Sequence, residues 1–182
     1  MENENEVKNN FDNLSELEKQ LWAILERIRD ERNALPKDQK NKIWITQKIK
    51  EYYGELEDDD HCDVISSAHG GGWMFDLVWN KNNEENGYLE KTALVIESEL
   101  SDRTSSGLLK DFNKLLLANT DLRLMICFGY GNYNYPQNVN DIITLFEEAV
   151  KSYKNIGIGS RILVLIWDDY YSGDVYPHLI IK

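Results

Sequence analysis

Residues 93–101, ALVIESELS, read as a buried β-strand interrupted by two carboxylates, Glu97 and Glu99, with a single residue between them. Side chains alternate along a strand, so Val95, Glu97 and Glu99 share one face while Leu94, Ile96, Ser98 and Leu100 share the other. Apolar neighbours on both faces predict a strand covered on both sides, where an ionised carboxylate without a partner is strongly disfavoured. The upstream run WMFDLVW, residues 73–79, repeats the anomaly at Asp76. Adjacent, in-phase strands would bring Asp76 beside Glu97, and like charges that close repel unless a cation lies between them. Carboxylate, carbonyl and water oxygens are the ligands Mg²⁺ prefers, so a divalent-metal site is expected here. The plainer alternative treats each acid separately, as an exposed strand end or one half of an ion pair.

Working outward, the elements on either side follow from periodicity. Leu14, Leu17, Leu21, Ile24 and Ile28 recur at helical spacing, Ser15 with Glu18 forms a capping box, and Pro36 ends the helix near Leu35. A second helix, about Asp38 to Tyr53, sets Ile45, Ile49 and Tyr52 on one face before Gly54. HCDVISS (61–67) and WMFDLVW read as strands joined by a glycine turn, and with TALVIESEL (92–100) they make a three-strand meander. Then come a helix with Leu108, Phe112, Leu115 and Leu116 in register, the strand LRLMICFG (122–129), a helix over 139–153 and the strand RILVLIWDD (161–169). Apolar strands alternating with helices in this second half predict parallel pairing.

Composition narrows the function classes. The chain of 182 residues suits one domain, and its net charge of −12 argues against a broad surface gripping a phosphate backbone. A local basic groove, a basic partner or a neutralising metal stays compatible with that charge. No apolar run approaches the roughly 20 residues that span a bilayer, and no secretory core follows the polar start MENENEVKNN, so a cytoplasmic protein without a membrane anchor is expected. The first ten residues are expected to be disordered. Cys62 and Cys127 are too few and too isolated for a disulfide framework and read as buried thiols, while His61, His69 and His178 show no zinc-ligand spacing.

An Asp, a Glu-x-Glu about twenty residues later, and then a helix carrying Lys110 and Lys114 together resemble the PD-(D/E)XK nuclease superfamily. The likeness covers roughly residues 40 to 130. It implies an α/β fold with a restriction endonuclease-like core of helix, three-strand antiparallel meander, helix and strand. An N-terminal helical extension would precede this core, and a further C-terminal helix and strand would follow it. Residues 1–36 would then be the disordered start and first helix, and residues 37–182 the nuclease-like domain.

By the same likeness Asp76, Glu97 and the carbonyl of Ser98 would hold Mg²⁺ or Mn²⁺ in a DNA-cleaving site. Glu99 stands where the superfamily carries its Lys, a departure similar to restriction endonucleases of the BamHI type. Some members take a catalytic side chain from the following helix, which makes Lys114 the candidate replacement. Either Glu99 or Lys114 would orient or deprotonate the attacking water, Arg103, Lys110 and Lys114 would meet neighbouring phosphates, and Glu51 is a weaker match to an extra acid on the first core helix. DNA is the implied partner, with a homodimer or partner subunit as in many restriction-type members. Read from the residues alone, Lys110 and Lys114 form a solvated helix face with Asp111 as an i,i+3 partner. Two other functions compete with the nuclease. One is a catalytically degenerate module of the same fold that binds protein or nucleic acid, and the other is an acidic interaction protein using the helix of residues 14–35.

Overall fold

The computed structural model describes residues 12–56, 62–66, 74–102, 104–129, 138–169 and 172–182. The expectations for the first ten residues, the glycine turn, His61, His69 and Arg103 fall outside them. The described residues form a mixed α/β fold with four helices, α1 (Glu16–Ala34), α2 (Lys42–Gly54), α3 (Ser105–Leu117) and α4 (Val139–Ser152). Their six strands are β1 (Asp63–Ser66), β2 (Leu77–Asn82), β3 (Leu89–Glu99), β4 (Leu122–Gly129), β5 (Arg161–Asp168) and β6 (Val175–Ile181).

The strands form one sheet in sequence order. β1, β2 and β3 are an antiparallel meander, β3, β4 and β5 run parallel, and β6 returns antiparallel along β5. Every residue of β4 is buried, and so is all of β5 after Arg161. Such continuous apolar strands fit positions covered on both faces. Helices α1 and α2 contribute to one core with Leu94, Ile96, Leu124, Ile126, Leu163 and Leu165. Helices α3 and α4 contribute to the other with Val78, Val95, Met125, Cys127, Val164 and Ile166.

Helix α1 is tied down at both ends. Its capping box is present: Glu18 N–H donates to Ser15 Oγ (3.3 Å) and Ser15 N–H to Glu18 Oε2 (2.7 Å). The helix stops at Leu35, whose extended backbone is what a following proline imposes. Leu21, Leu25 and Ile28 are fully buried, and Trp22 Nε1 donates to the Val175 carbonyl of β6. Helix α2 is locked by Tyr53, whose hydroxyl donates to the Leu21 carbonyl at 2.8 Å and whose own carbonyl accepts from Trp79 Nε1 at 3.2 Å.

Several sequence expectations need correction. The second helix begins at Lys42, after a short 3-10 turn at Lys37–Gln39, and it buries Tyr53 in place of Tyr52. In α1 it is Leu25, with Ile24 only half-buried, that completes the core face. Strand β2 starts one residue after Asp76 and continues through the polar Asn80–Asn82, so Asp76 lies in the bend that leads into it. Strand β3 begins earlier, at Leu89, and α3 begins at Ser105, three residues ahead of Leu108. The sixth strand was not anticipated. It sits at the sheet edge, where Pro177 is tolerated because an edge strand need not donate on both sides. Cys127 is a buried thiol, whereas Cys62 is only half-buried. Among the described residues no helix is long and apolar enough to cross a membrane.

Candidate functional site

The acids singled out by the sequence meet where β3 ends and β2 begins. Leu77 is registered against Ile96, so Asp76 enters the sheet beside Glu97. Val95 belongs to the α3/α4 core, so Glu97 lies on the face covered by α3, while Asp76 sits in the bend before β2. Asp76 is half-buried, and its Oδ2 accepts two hydrogen bonds from Ser98, one from the backbone N–H (2.9 Å) and one from the hydroxyl (2.7 Å). Ser98, expected to offer its carbonyl, thus also fixes the carboxylate that precedes β2.

Glu97 is the unusual group. Only 3% of it is exposed. Its Oε2 accepts a long hydrogen bond from Lys114 Nζ (3.3 Å), while Oε1 is buried with no hydrogen-bond partner. Burial, reinforced by the negative charges of Asp76 and Asp111, pushes its carboxyl up to about 8 despite Lys114. A buried oxygen without a partner is rare enough in native proteins to need an explanation.

Helix α3 supplies the remaining members. Its core stripe is Leu108, Phe112, Leu115 and Leu116, and Asp111 sits within that stripe, 9% exposed. Lys114 Nζ lies 2.7 Å from Asp111 Oδ1 and 3.3 Å from Glu97 Oε2. Burial alone would lower the Lys114 ammonium, but its bond to Asp111 and the charge of Glu97 outweigh that and hold its pKa above the usual lysine range. The position of α3 is set at both ends. Thr104 Oγ1 accepts from Gly107 N–H (3.0 Å) at the start. At the other end the buried Arg123 guanidinium donates to the carbonyls of Leu115 (3.0 Å) and Ala118 (2.6 Å).

Glu99 is half-buried, and its Oε1 accepts the backbone N–H groups of Ser101 (2.6 Å) and Asp102 (2.7 Å) in the turn leading to α3. Burial and Asp111 raise its pKa, although the two N–H bonds oppose the rise. Asp76, Glu97, Glu99 and Asp111 are therefore linked by contact or field, with Lys114 the cation paired to two of them.

Asp111 is the member the sequence reading missed, having been assigned only to a solvated helix face. Its spacing in the Leu108–Phe112–Leu115 stripe was the available signal. Lys110 is exposed, in line with that solvated face. Glu51 is also exposed and pairs with Lys48 at 2.8 Å, and it borders a cavity of about 440 Å³ with Lys50, Val64 and Ser66. His178 is bonded to Glu147 on α4 (3.1 Å).

Among the described residues no group of three or more His, Cys, Asp or Glu side chains is already arranged to enclose a metal ion. The donor set nevertheless fits a hard cation. Glu97 offers a buried, unbonded oxygen and Asp76 a carboxylate held in place by Ser98. No protein-family model, curated protein or solved structure matches the chain.

Proposed function

We propose that the chain is a Mg²⁺- or Mn²⁺-dependent nuclease of the PD-(D/E)XK kind that hydrolyses phosphodiester bonds in DNA. The observation that carries this reading is Glu97, an almost fully buried carboxylate with one unpartnered oxygen, set beside Asp76 and served by a single lysine. A buried acid in that state is poorly explained as a stabilising element, and it is well explained as a ligand waiting for a cation. The order of elements adds support. Helix α2, the antiparallel β1–β2–β3, helix α3 and the parallel β4 follow the sequence expected of that core, with α1 before it and α4, β5 and β6 after it.

Asp76, Glu97 and the carbonyl of Ser98 are the residues that would hold the ion. When bound, it would supply positive charge to the scissile phosphate and lower the pKa of a bound water. The chain's own residues do the rest. Ser98 keeps Asp76 oriented, so little reorganisation is needed on binding. The low exposure of Glu97 keeps its field unscreened. Lys114 brings an ammonium to the same carboxylate, from which it can orient the attacking water or hold a phosphate oxygen. Lys110, exposed on the same helix, faces solvent where a neighbouring phosphate would lie.

Incubation of the purified protein with supercoiled plasmid and Mg²⁺ or Mn²⁺ tests this directly. The wild type is expected to nick the plasmid and Glu97→Ala to leave it intact. Equal nicking by both proteins, or none by the wild type, overturns the assignment.

One observation favours a second reading, a catalytically degenerate module that binds protein or nucleic acid. Lys114 already stands between Asp111 and Glu97, a built-in cation where a metal would otherwise act, in a chain of net charge −12. Calorimetric titration with Mn²⁺ separates the two. The nuclease requires binding that Asp76→Ala abolishes, and the degenerate module predicts no binding at this site.

A further inference from the structure

We propose that the chain pairs with a second copy of itself through the end of the sheet where β3, β4 and β5 begin, each copy seating its β2–β3 hairpin on the β5–β6 end of the other. Strand β3 runs from this end toward Glu97, so the inference stands whether or not Asp76 and Glu97 cut DNA.

Exposed apolar side chains are concentrated at that end. Among the described residues seven large hydrophobic side chains stand exposed, and five of them are here. Tyr88 and Leu89 mark the start of β3, Leu117 the close of α3, Ile158 the turn before β5 and Ile181 the close of β6. Ile158 is 98% exposed, and the Gly159 N–H donates to the Lys182 carbonyl at 2.7 Å, which holds its turn against the end of β6. Scattered singly such residues would be ordinary, but gathered at one end they mark an interaction surface.

The hairpin is built as an arm. Leu94 is registered against Leu122, the first residue of β4, so β3 begins five residues ahead of its neighbour, roughly 15 Å of chain. Its tip is fixed by its own asparagines. Asn83 Oδ1 accepts from the N–H groups of Glu85 (3.0 Å) and Asn86 (3.2 Å), and Asn86 Oδ1 accepts from Tyr88 N–H (2.9 Å). At the base, Lys91 Nζ donates to Asp121 Oδ2 at 3.1 Å and ties the arm to the segment ahead of β4. A pre-formed arm loses little freedom when it docks.

Charge identifies the occupant. Residues 82–90 carry Glu84, Glu85 and Glu90 and no cation, and all three acids are exposed. Nucleic acid and anionic lipid are repelled by such a tip. In this chain of net charge −12, residues 149–161 carry Lys151, Lys154 and Arg161 and no acid. Lys182 joins them, its Nζ donating to the Val150 carbonyl at 2.9 Å. Two acids that reach this patch are engaged, Glu18 with Arg161 and Glu147 with Lys151 and His178. The acidic arm with Tyr88 and Leu89 thus complements the cationic patch with Ile158 and Ile181. Both lie at one end of one sheet, with β4 between them. A single two-fold axis near the start of β4 therefore seats each arm on the other copy's patch, whereas like-on-like docking would set acids against acids or cations against cations. The two Asp76–Glu97 sites then face outward from the far ends of the pair.

Sedimentation of the metal-free full chain tests the pairing. The wild type is expected to form a dimer, and nothing larger, at about 100 µM. The double substitution Tyr88→Ser and Leu89→Ser should raise the dimer Kd by at least about 10-fold. Charge reversal gives the sharper test, with one variant carrying Glu84→Lys and Glu85→Lys and another carrying Lys151→Glu and Lys154→Glu. Each should sediment as a monomer alone. An equimolar mixture of the two should form the dimer again, because the reversed arm then meets the reversed patch and the native arm the native patch. A wild type that stays monomeric at that concentration overturns the proposal, as does growth beyond the dimer. A dimer that tolerates both reversals, or two monomeric reversals that fail to pair on mixing, overturns it as well.

Discussion

Two buried glutamates, on opposite faces of one sheet, are treated in opposite ways. Glu18, on α1, is fully buried, and both of its oxygens are used. Arg161 Nε donates to Oε1 at 2.8 Å and Nη2 to Oε2 at 2.6 Å, while Ser15 N–H also reaches Oε2. Burial pushes the Glu18 carboxyl up, but these bonds outweigh it and hold it below the usual carboxylate range. Glu97, on β3, is almost as buried, yet it has one long bond to a lysine, an orphaned oxygen and a pKa raised to about 8. The first is a finished ion pair that fastens α1 to β5. The second is unfinished, and its neighbours Asp76 and Asp111 make it more so. What separates a structural acid from a candidate site is thus the state of its partners, since depth of burial is nearly the same.

Breaking the finished pair should have the largest effect. Arg161→Met strands the Glu18 carboxylate in the core and is expected to cost about 3–5 kcal/mol, read by urea denaturation at pH 7. The loss should shrink in acid. The lowered pKa of Glu18 means its pairing stabilises the fold above its unfolded value and is lost as pH falls through the folded one, so the variant and wild type converge at low pH. A smaller effect is expected at the turn beneath the unfinished site. A Cβ built on Gly107 falls 2.2 Å from Cγ of Asp102, whose carboxylate is itself bonded to Thr104. Gly107→Ala should therefore push the exposed Asp102 carboxylate off Thr104 at a cost of about 1 kcal/mol, measured by the same denaturation.

The same contrast explains what the sequence could and could not disclose. Glu18 was legible as half of a capping box, a local pattern, but its partner Arg161 lies 143 residues away and leaves no trace in periodicity. Glu97 was legible because an acid inside VIESEL breaks an apolar run, and Asp76 because it does the same in WMFDLVW. Asp111 escaped because the i,i+3 pairing with Lys114 is also how solvated helices look, and only its place between Leu108 and Phe112 told otherwise. Strand β6 was missed because Pro177 and His178 interrupt its pattern and its structure comes from long-range pairing with β5. Tyr53 displaced Tyr52 because the i, i+4 row through Ile45 and Ile49 reaches residue 53, a choice that tertiary contact with Leu21 then fixes.

The remaining effect sharpens the comparison most, because its sign is opposite. A group whose folded pKa lies near 8, against an ordinary value of 4.5, binds its proton more tightly in the native state. The metal-free protein should therefore lose stability from this residue as pH rises from about 4.5 to about 8, the reverse of the trend at Glu18. Replacing Glu97 with a neutral isostere removes the charge that the fold cannot satisfy. Glu97→Gln is expected to lie close to the wild type at pH 5 and to be clearly the more stable of the two at pH 9. Added Mg²⁺ should invert the order at pH 9, since an ion that binds only the native state stabilises the wild type and finds a weakened ligand set in the variant. A wild type that is the more stable protein at pH 9 without metal would mean that Glu97, like Glu18, is already satisfied, and the distinction between the two faces would fail.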